Sequence, residues 1–115
     1  PGTYTGEMAT GSFGGGVYIE KALTIECSTA DQSCILDGED DHRVVYVYEV
    51  SSGITNLIGL KITRGRGGYY GGGIRIYYSD VTITSCLISN NEVTGNASTR
   101  DDVHLNSLLF VRMIN

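Results

Sequence analysis

The sequence predicts an all-β chain wound as a parallel β-helix, a solenoid of about three to four coils with three short strands in each. Three observations carry that expectation. Apolar residues alternate in short runs, as at Ile74, Ile76, Val81 and Ile83, and the alternation slips by one place before resuming at Cys86 and Ile88. The pattern recurs, since "GGGVYIEKALTIEC" from Gly14 and "GGGIRIYYSDVTITSC" from Gly71 share glycines, a short alternating strand, a break and a second strand. Val, Ile, Thr and Tyr fill these segments, while helix-forming residues never cluster at helical spacing. Alternation has a period of two along a strand, so a slip marks a corner. Two slips in each copy give three strands per coil. One coil cannot bury its apolar side alone, and stacking at about 4.8 Å supplies the core.

The elements follow in order. First strands are expected at Val17–Glu20, Val45–Tyr48, Ile74–Tyr77 and Val103–Asn106. Second strands fall at Leu23–Ile25, Thr55–Leu57 and Val81–Ile83, with a poorly registered fourth within Leu108–Met113. Third strands fall at Cys34–Leu36, Leu60–Ile62 and Cys86–Ile88. The last two complete copies are offset by about 26 residues, a solenoid-scale period. The first carries an insertion, "STADQS", between its second and third strands. With this register the inward files are Val17, Val45, Ile74, Val103 and Ile19, Val47, Ile76, Leu105 on the first strands. Leu23, Thr55, Val81 and Ile25, Leu57, Ile83 follow on the second, then Cys34, Leu60, Cys86 and Leu36, Ile62, Ile88 on the third. A β-sandwich is the competing arrangement, but it needs tight turns between matched apolar runs. Asp37-Gly38 is followed by charge instead.

The 115 residues are expected to form one domain spanning 1–115, and a start at Pro1 rather than Met suggests a piece of a longer chain. Eight Lys and Arg against 13 Asp and Glu give a net charge of −5, which argues against nucleic acid as a partner. No apolar run approaches the roughly 20 residues of a membrane helix, so no membrane insertion is expected. Cys34 and Cys86 fall on equivalent places two coils apart, roughly 9–10 Å, too far for a bond that needs Cα atoms within about 7 Å. Cys27 and Cys34 flank the insertion and are the candidate disulfide, leaving Cys86 as a small buried hydrophobe. Three dispersed cysteines and two histidines make no zinc site, and no metal or other cofactor is expected. Asn96-Ala97-Ser98 is a sequon, which makes Asn96 a candidate glycosylation site in a secreted eukaryotic protein.

"PGTYTG", "LTIEC" with "CILDG", "RVVYV", "GLKITRG", "GGGI" and "VTITSCLISNN" together resemble the right-handed parallel β-helix, or pectin-lyase-like, superfamily. The likeness covers nearly the whole chain. "GGGI" followed by "LISNN" also resembles polymorphic outer-membrane protein repeats, although Leu87 stands where that family's motif has Phe. The resemblance, with the general rule for parallel crossovers, implies a right-handed coil. It implies no one chemistry, because the superfamily holds lyases, hydrolases, epimerases, adhesins and structural proteins.

The outward positions of the first strands form two files: Tyr18, Tyr46, Arg75, His104, and Glu20, Tyr48, Tyr77, Asn106. Aromatic rings beside hydrogen-bonding groups suit sugars, so Tyr18, Tyr46, Tyr48, Arg75, Tyr77 and His104 are the candidate carbohydrate-binding residues. In sugar-active relatives the resemblance places the substrate on this same face. The plainer reading is that cross-strand tyrosines stabilise the sheet, by up to about 1 kcal/mol a pair. The file turns on the register of Val45, for if Val44 faced inward Tyr46 and Tyr48 would be buried. "DGEDDHR" reads as a solvated acidic turn rather than a calcium loop. "GRGGYYGGG" reads as a mobile loop and lacks the G-K-[ST] of a phosphate loop. The pectate-lyase arginine motif and the polygalacturonase series have no counterpart, and Asp101-Asp102 should flank His104 rather than face it, so no catalytic residue is assigned. The expected function is a non-catalytic extracellular or cell-surface module, structural or adhesive. Such a module would bind polysaccharide on its Tyr-rich face and assemble end to end through open strand edges. The alternative is a fragment or relative of a polysaccharide lyase or epimerase.

Overall fold

The computed structural model describes residues 2–4, 16–29, 32–67, 71–93, 99–100, 103–106 and 111–114, the last three segments by backbone alone. These residues are all-β and contain no helix. β1 (Gly2–Tyr4) precedes β2 (Val17–Ile19), β3 (Thr24–Glu26) and β4 (Cys34–Asp37). The second repeat holds β5 (Val45–Tyr48), β6 (Thr55–Ile58), β7 (Leu60–Thr63) and a two-residue β8 (Arg66–Gly67). The third holds β9 (Ile74–Tyr77), β10 (Val81–Thr84), β11 (Leu87–Ser89) and β12 (Glu92–Val93). β13 (Thr99–Arg100), β14 (Val103–Asn106) and β15 (Val111–Ile114) follow.

Strands that are neighbours along the chain do not pair within the main sheets; equivalent strands of successive repeats do. Three walls of four strands run β2-β5-β9-β14, β3-β6-β10-β15 and β1-β4-β7-β11. Every pairing in them is parallel. A small sheet, β8-β12-β13, adds one antiparallel pairing. Parallel strands in stacked sheets are what a parallel β-helix requires, and the hairpin pairings of a sandwich are absent from the walls. Val17 faces Val45, which faces Ile74, which faces Val103. Ile25 faces Leu57 and then Ile83, while Leu36 faces Ile62 and then Ile88. These are the inward files read from the alternation. The boundaries move slightly: β3 begins at Thr24 and β11 at Leu87, one residue later than the pattern suggests. β1, β8 and β12 are too short to leave an alternating signature.

The corners explain the slips. Gln32 (φ 64°), Gly59 (φ 69°) and Ser85 (φ 53°) precede the third-wall strands of successive repeats in the left-handed region. Gln32 N–H donates to Gly59 O at 3.0 Å and Gly59 N–H to Thr84 O at 2.9 Å, so these corners bond to one another across repeats. Glu49 (φ 47°) and Tyr78 (φ 48°) turn the chain out of the first wall, and Arg64 (φ 56°) and Asn90 (φ 58°) turn it out of the third. One left-handed residue reverses the local bend and costs the alternation one place.

The walls enclose a core that is complete in the middle repeats. Val45, Val47, Leu57, Ile62, Ile74 and Ile76 are fully buried, whereas Val17, Leu23, Ile25 and Leu36 of the first repeat are only partly covered. The interior stays closed where polar groups are tied down. Buried Asn91 accepts from Gly65 N–H at 2.7 Å and donates to Ile62 O at 3.2 Å and Ser89 O at 3.0 Å, satisfying backbone groups at the third corner. Gly65 and Gly72 are required by close approach, since a Cβ on Gly65 would meet the Gly72 carbonyl and one on Gly72 would meet the Glu92 carbonyl. The glycines flanking Gly68, Tyr69 and Tyr70 are therefore packed into the fold rather than parts of an open loop. Those three residues lie outside the described residues. Among the described residues no helix is long and apolar enough to cross a membrane, which does not bear on strand-built membrane proteins.

Candidate functional site

The outward side of the first wall gathers the tyrosines because its register is fixed from within. Val17, Val45 and Ile74 point into the core, so Tyr18, Tyr46 and Arg75 fall in one outward file, and Tyr48 pairs with Tyr77 in the next. Tyr18 and Tyr46 meet edge to face at 5.6 Å, Tyr46 and Tyr48 likewise at 5.6 Å. Tyr18 and Tyr48 stack at 6.2 Å, Tyr48 and Tyr77 at 5.3 Å with planes 17° apart. Tyr78 closes the row, edge to face with Tyr77 at 4.6 Å.

Two features differ from the expectation of six accessible residues. Tyr46 points outward yet is 2% exposed. Its burial does not come from a change of register: the Arg43 and Arg75 guanidinium groups each lie 5.1 Å from its ring centre, and Tyr18 and Tyr48 close the sides. Tyr46 is thus the floor of the wall rather than a contact residue. The second difference concerns the rings. Tyr48 and Tyr77 cover one face of each other, so they offer edges and hydroxyls more than faces. Arg75, half-buried, also lies 5.6 Å from the Tyr77 ring centre. His104 pairs with Arg75 through the backbone of β14, but its side chain lies outside the described residues, as does Asn96.

Arg43 and Tyr78 escaped the sequence reading. Arg43 stands in the acidic turn "DGEDDHR" and gives no sign that it folds onto the tyrosines; its Nε donates to Gly71 O at 2.9 Å. Tyr78 follows the strand and breaks its alternation because it occupies a left-handed corner.

Burial favours the protonated form of three phenols, those of Tyr18, Tyr46 and Tyr48. The Tyr18 hydroxyl is pushed up to about 12 by burial first, then by the charge of Glu20 and a hydrogen bond to it. Tyr46 is raised by burial, which outweighs the opposing pull of Arg75 and Arg43. Tyr48 is raised by burial and then by Glu49. Neutral phenols both donate and accept hydrogen bonds, and they are poor bases near neutral pH.

The other clusters are held by structural partners. Arg64 binds Asp37 and Asp40 at 3.2 Å each, which ties the acidic turn to the next repeat. Among the described residues no group of three or more His, Cys, Asp and Glu gathers to hold a metal. Cys27 and Cys34 are joined, with Cα atoms 5.6 Å apart. Cys86 is free; its thiol donates to Leu57 O and Thr84 O at 3.4 Å, and burial pushes its pKa up.

No protein-family model, no curated protein and no solved structure matches the chain.

Proposed function

We propose that the chain is a non-catalytic extracellular module with a structural or adhesive role. Its fold is read as a right-handed parallel β-helix of about three to four coils, akin to the pectin-lyase-like superfamily. It binds polysaccharide along the first wall and assembles end to end. The observation that carries this reading is the row formed by Tyr18, Tyr48, Tyr77 and Tyr78, whose spacing is locked by the core-facing residues between them. Phenol hydroxyls, with the Arg75 guanidinium, supply hydrogen bonds to sugar hydroxyls, and the ring edges and the outer face of the last ring supply apolar contact. The Cys27–Cys34 bond suits an oxidising compartment, which supports an extracellular setting.

The test is affinity electrophoresis and a glycan array with the wild type, Tyr18→Ala and Tyr77→Ala. Binding should fall about fivefold or more in each variant, equivalent to ~1 kcal/mol. An unchanged profile in both removes the sugar-binding wall. Absorbance growth from unsaturated product on uronate polymers would replace the non-catalytic reading with a lyase.

A further inference from the structure

The geometry points to a site of oxidative modification on the first wall, where a peroxidase supplied with peroxide would join the rings of Tyr48 and Tyr77 by a covalent bond. The inference stands whether or not the wall binds sugar. Tyr48 on β5 and Tyr77 on β9 are facing residues of parallel strands in adjacent repeats. Their ring centres lie 5.3 Å apart, with planes only 17° from parallel. Facing residues of parallel strands leave the sheet side by side, so nearly parallel rings bring like edges together. The carbons flanking the hydroxyls on those edges are the ones that couple when tyrosines are oxidised. The other ring contacts suit this reaction less. Tyr18 and Tyr48 are farther apart, at 6.2 Å, and more inclined, at 29°. Tyr46 meets both of them edge to face, is 2% exposed and lies against two guanidinium groups, so it has no room to tilt. Tyr77 and Tyr78 cross at 77°, which aims the edge of one ring at the face of the other.

An oxidant reaches the row at Tyr78, which is 46% exposed and touches Tyr77 at 4.6 Å between ring centres. The chain has no Trp, so tyrosine is its most easily oxidised aromatic side chain. Contact along the row lets an electron vacancy pass from Tyr78 to Tyr77 and on to Tyr48. In the coupling step each of the two phenols gives up one electron and one proton. The two phenoxyl radicals form a carbon–carbon bond between positions next to their hydroxyls. The hydrogens on those carbons then move to the oxygens, which restores two phenols. Hydrogen peroxide takes up the two electrons and two protons and leaves as two molecules of water. The fold supplies the encounter, since rings already held in contact need not diffuse together. The product ties β5 to β9, a covalent bond between repeats, whereas the Cys27–Cys34 bond lies within one.

The experiment treats the full 115-residue chain, at low concentration, with hydrogen peroxide and a haem peroxidase and then digests it with trypsin. Cleavage after Lys and Arg leaves Tyr46 and Tyr48 in residues 44–61, and Tyr77 and Tyr78 in residues 76–100. Mass spectrometry should find these two peptides joined, lighter than their sum by two hydrogen atoms, in protein that runs as a monomer on a denaturing gel. Fragmentation should place the bond at Tyr48 and Tyr77. Tyr48→Phe and Tyr77→Phe keep the stacked rings and remove one phenol each, and each should lower the yield of joined peptide by about tenfold. Tyr4→Phe should leave that yield unchanged. A joined peptide that survives Tyr77→Phe, or coupled tyrosine confined to covalent dimers, overturns the site. Ring oxidation without any joined peptide overturns it as well.

Discussion

Tyr18 and Tyr46 occupy the same outward file, yet one is half-exposed and the other is sealed under two guanidinium groups. The difference lies in their neighbours. Tyr46 sits in the middle repeat, with rings beside it and Arg75 on the next strand, while Tyr18 lies on the outermost strand. Burial raises both phenols, and the charge of Glu20 adds to the rise at Tyr18, from which the sign of the consequence follows. A Tyr whose folded value lies above its ordinary one of about 10 contributes its full stabilisation below that pH. The contribution is lost as pH climbs through the folded value, about 12 for Tyr18. The denaturation midpoint should hold steady up to pH ~10 and drop above it. Ultraviolet titration of the phenols should show late-ionising groups, Tyr18 among them, and Glu20→Gln should bring the Tyr18 ionisation down, because it removes the second cause of its shift. A single ionisation at the ordinary tyrosine value would contradict the packed row.

Among the elements, the join between β3 and β4 departs most from the repeat. The second repeat passes from β6 to β7 through Gly59 alone, whereas the first uses residues 27–33 for the same corner. The longer join is tied at its ends by the Cys27–Cys34 bond. It is also tied to the later repeats, because Gln32 donates to Gly59 O and, through its side chain, to Ser85 O at 2.8 Å. A cross-link over a separation of 7 residues limits the unfolded chain by about 2.5 kcal/mol in the loop-entropy account. Replacing both Cys27 and Cys34 by Ser should lower the unfolding free energy by about 2 kcal/mol. The check is urea denaturation of the double variant beside the wild type. A midpoint unmoved by the change would mean that the Gln32 bonds alone hold the corner.

At the scale of the molecule, each repeat of the walls rests mainly on its neighbours, so protection follows position in the stack. β5, β6 and β7 have strands on both sides and a closed core, while β2 and β3 are outermost and lie over partly covered residues. Hydrogen exchange should therefore be slowest in the amides of β5 to β7 and faster by about tenfold or more in β2 and β3. Exchange that is uniform along the chain would mean that the repeats open as one unit.

The inward files were legible because burial writes a period of two into the residues themselves: Val17, Val45 and Ile74 declare their side whatever lies around them. The corners were legible as slips, though not their cause, since only backbone angles distinguish Tyr78 in the left-handed region from a strand residue. The outward tyrosines were legible as a file, but their accessibility was not. Arg43 reaches Tyr46 from the acidic turn, and the stacked rings of Tyr48 and Tyr77 hide faces that a linear reading takes as available. The sequence by itself determined the inward files of the three walls and which of their strands lie over one another, because transfer from water depends on residue type and alternation, although Cys27, Val44 and Val50 enter the core outside those files. Only the tertiary structure decided what the surface can offer, because exposure depends on neighbours brought together from distant parts of the chain.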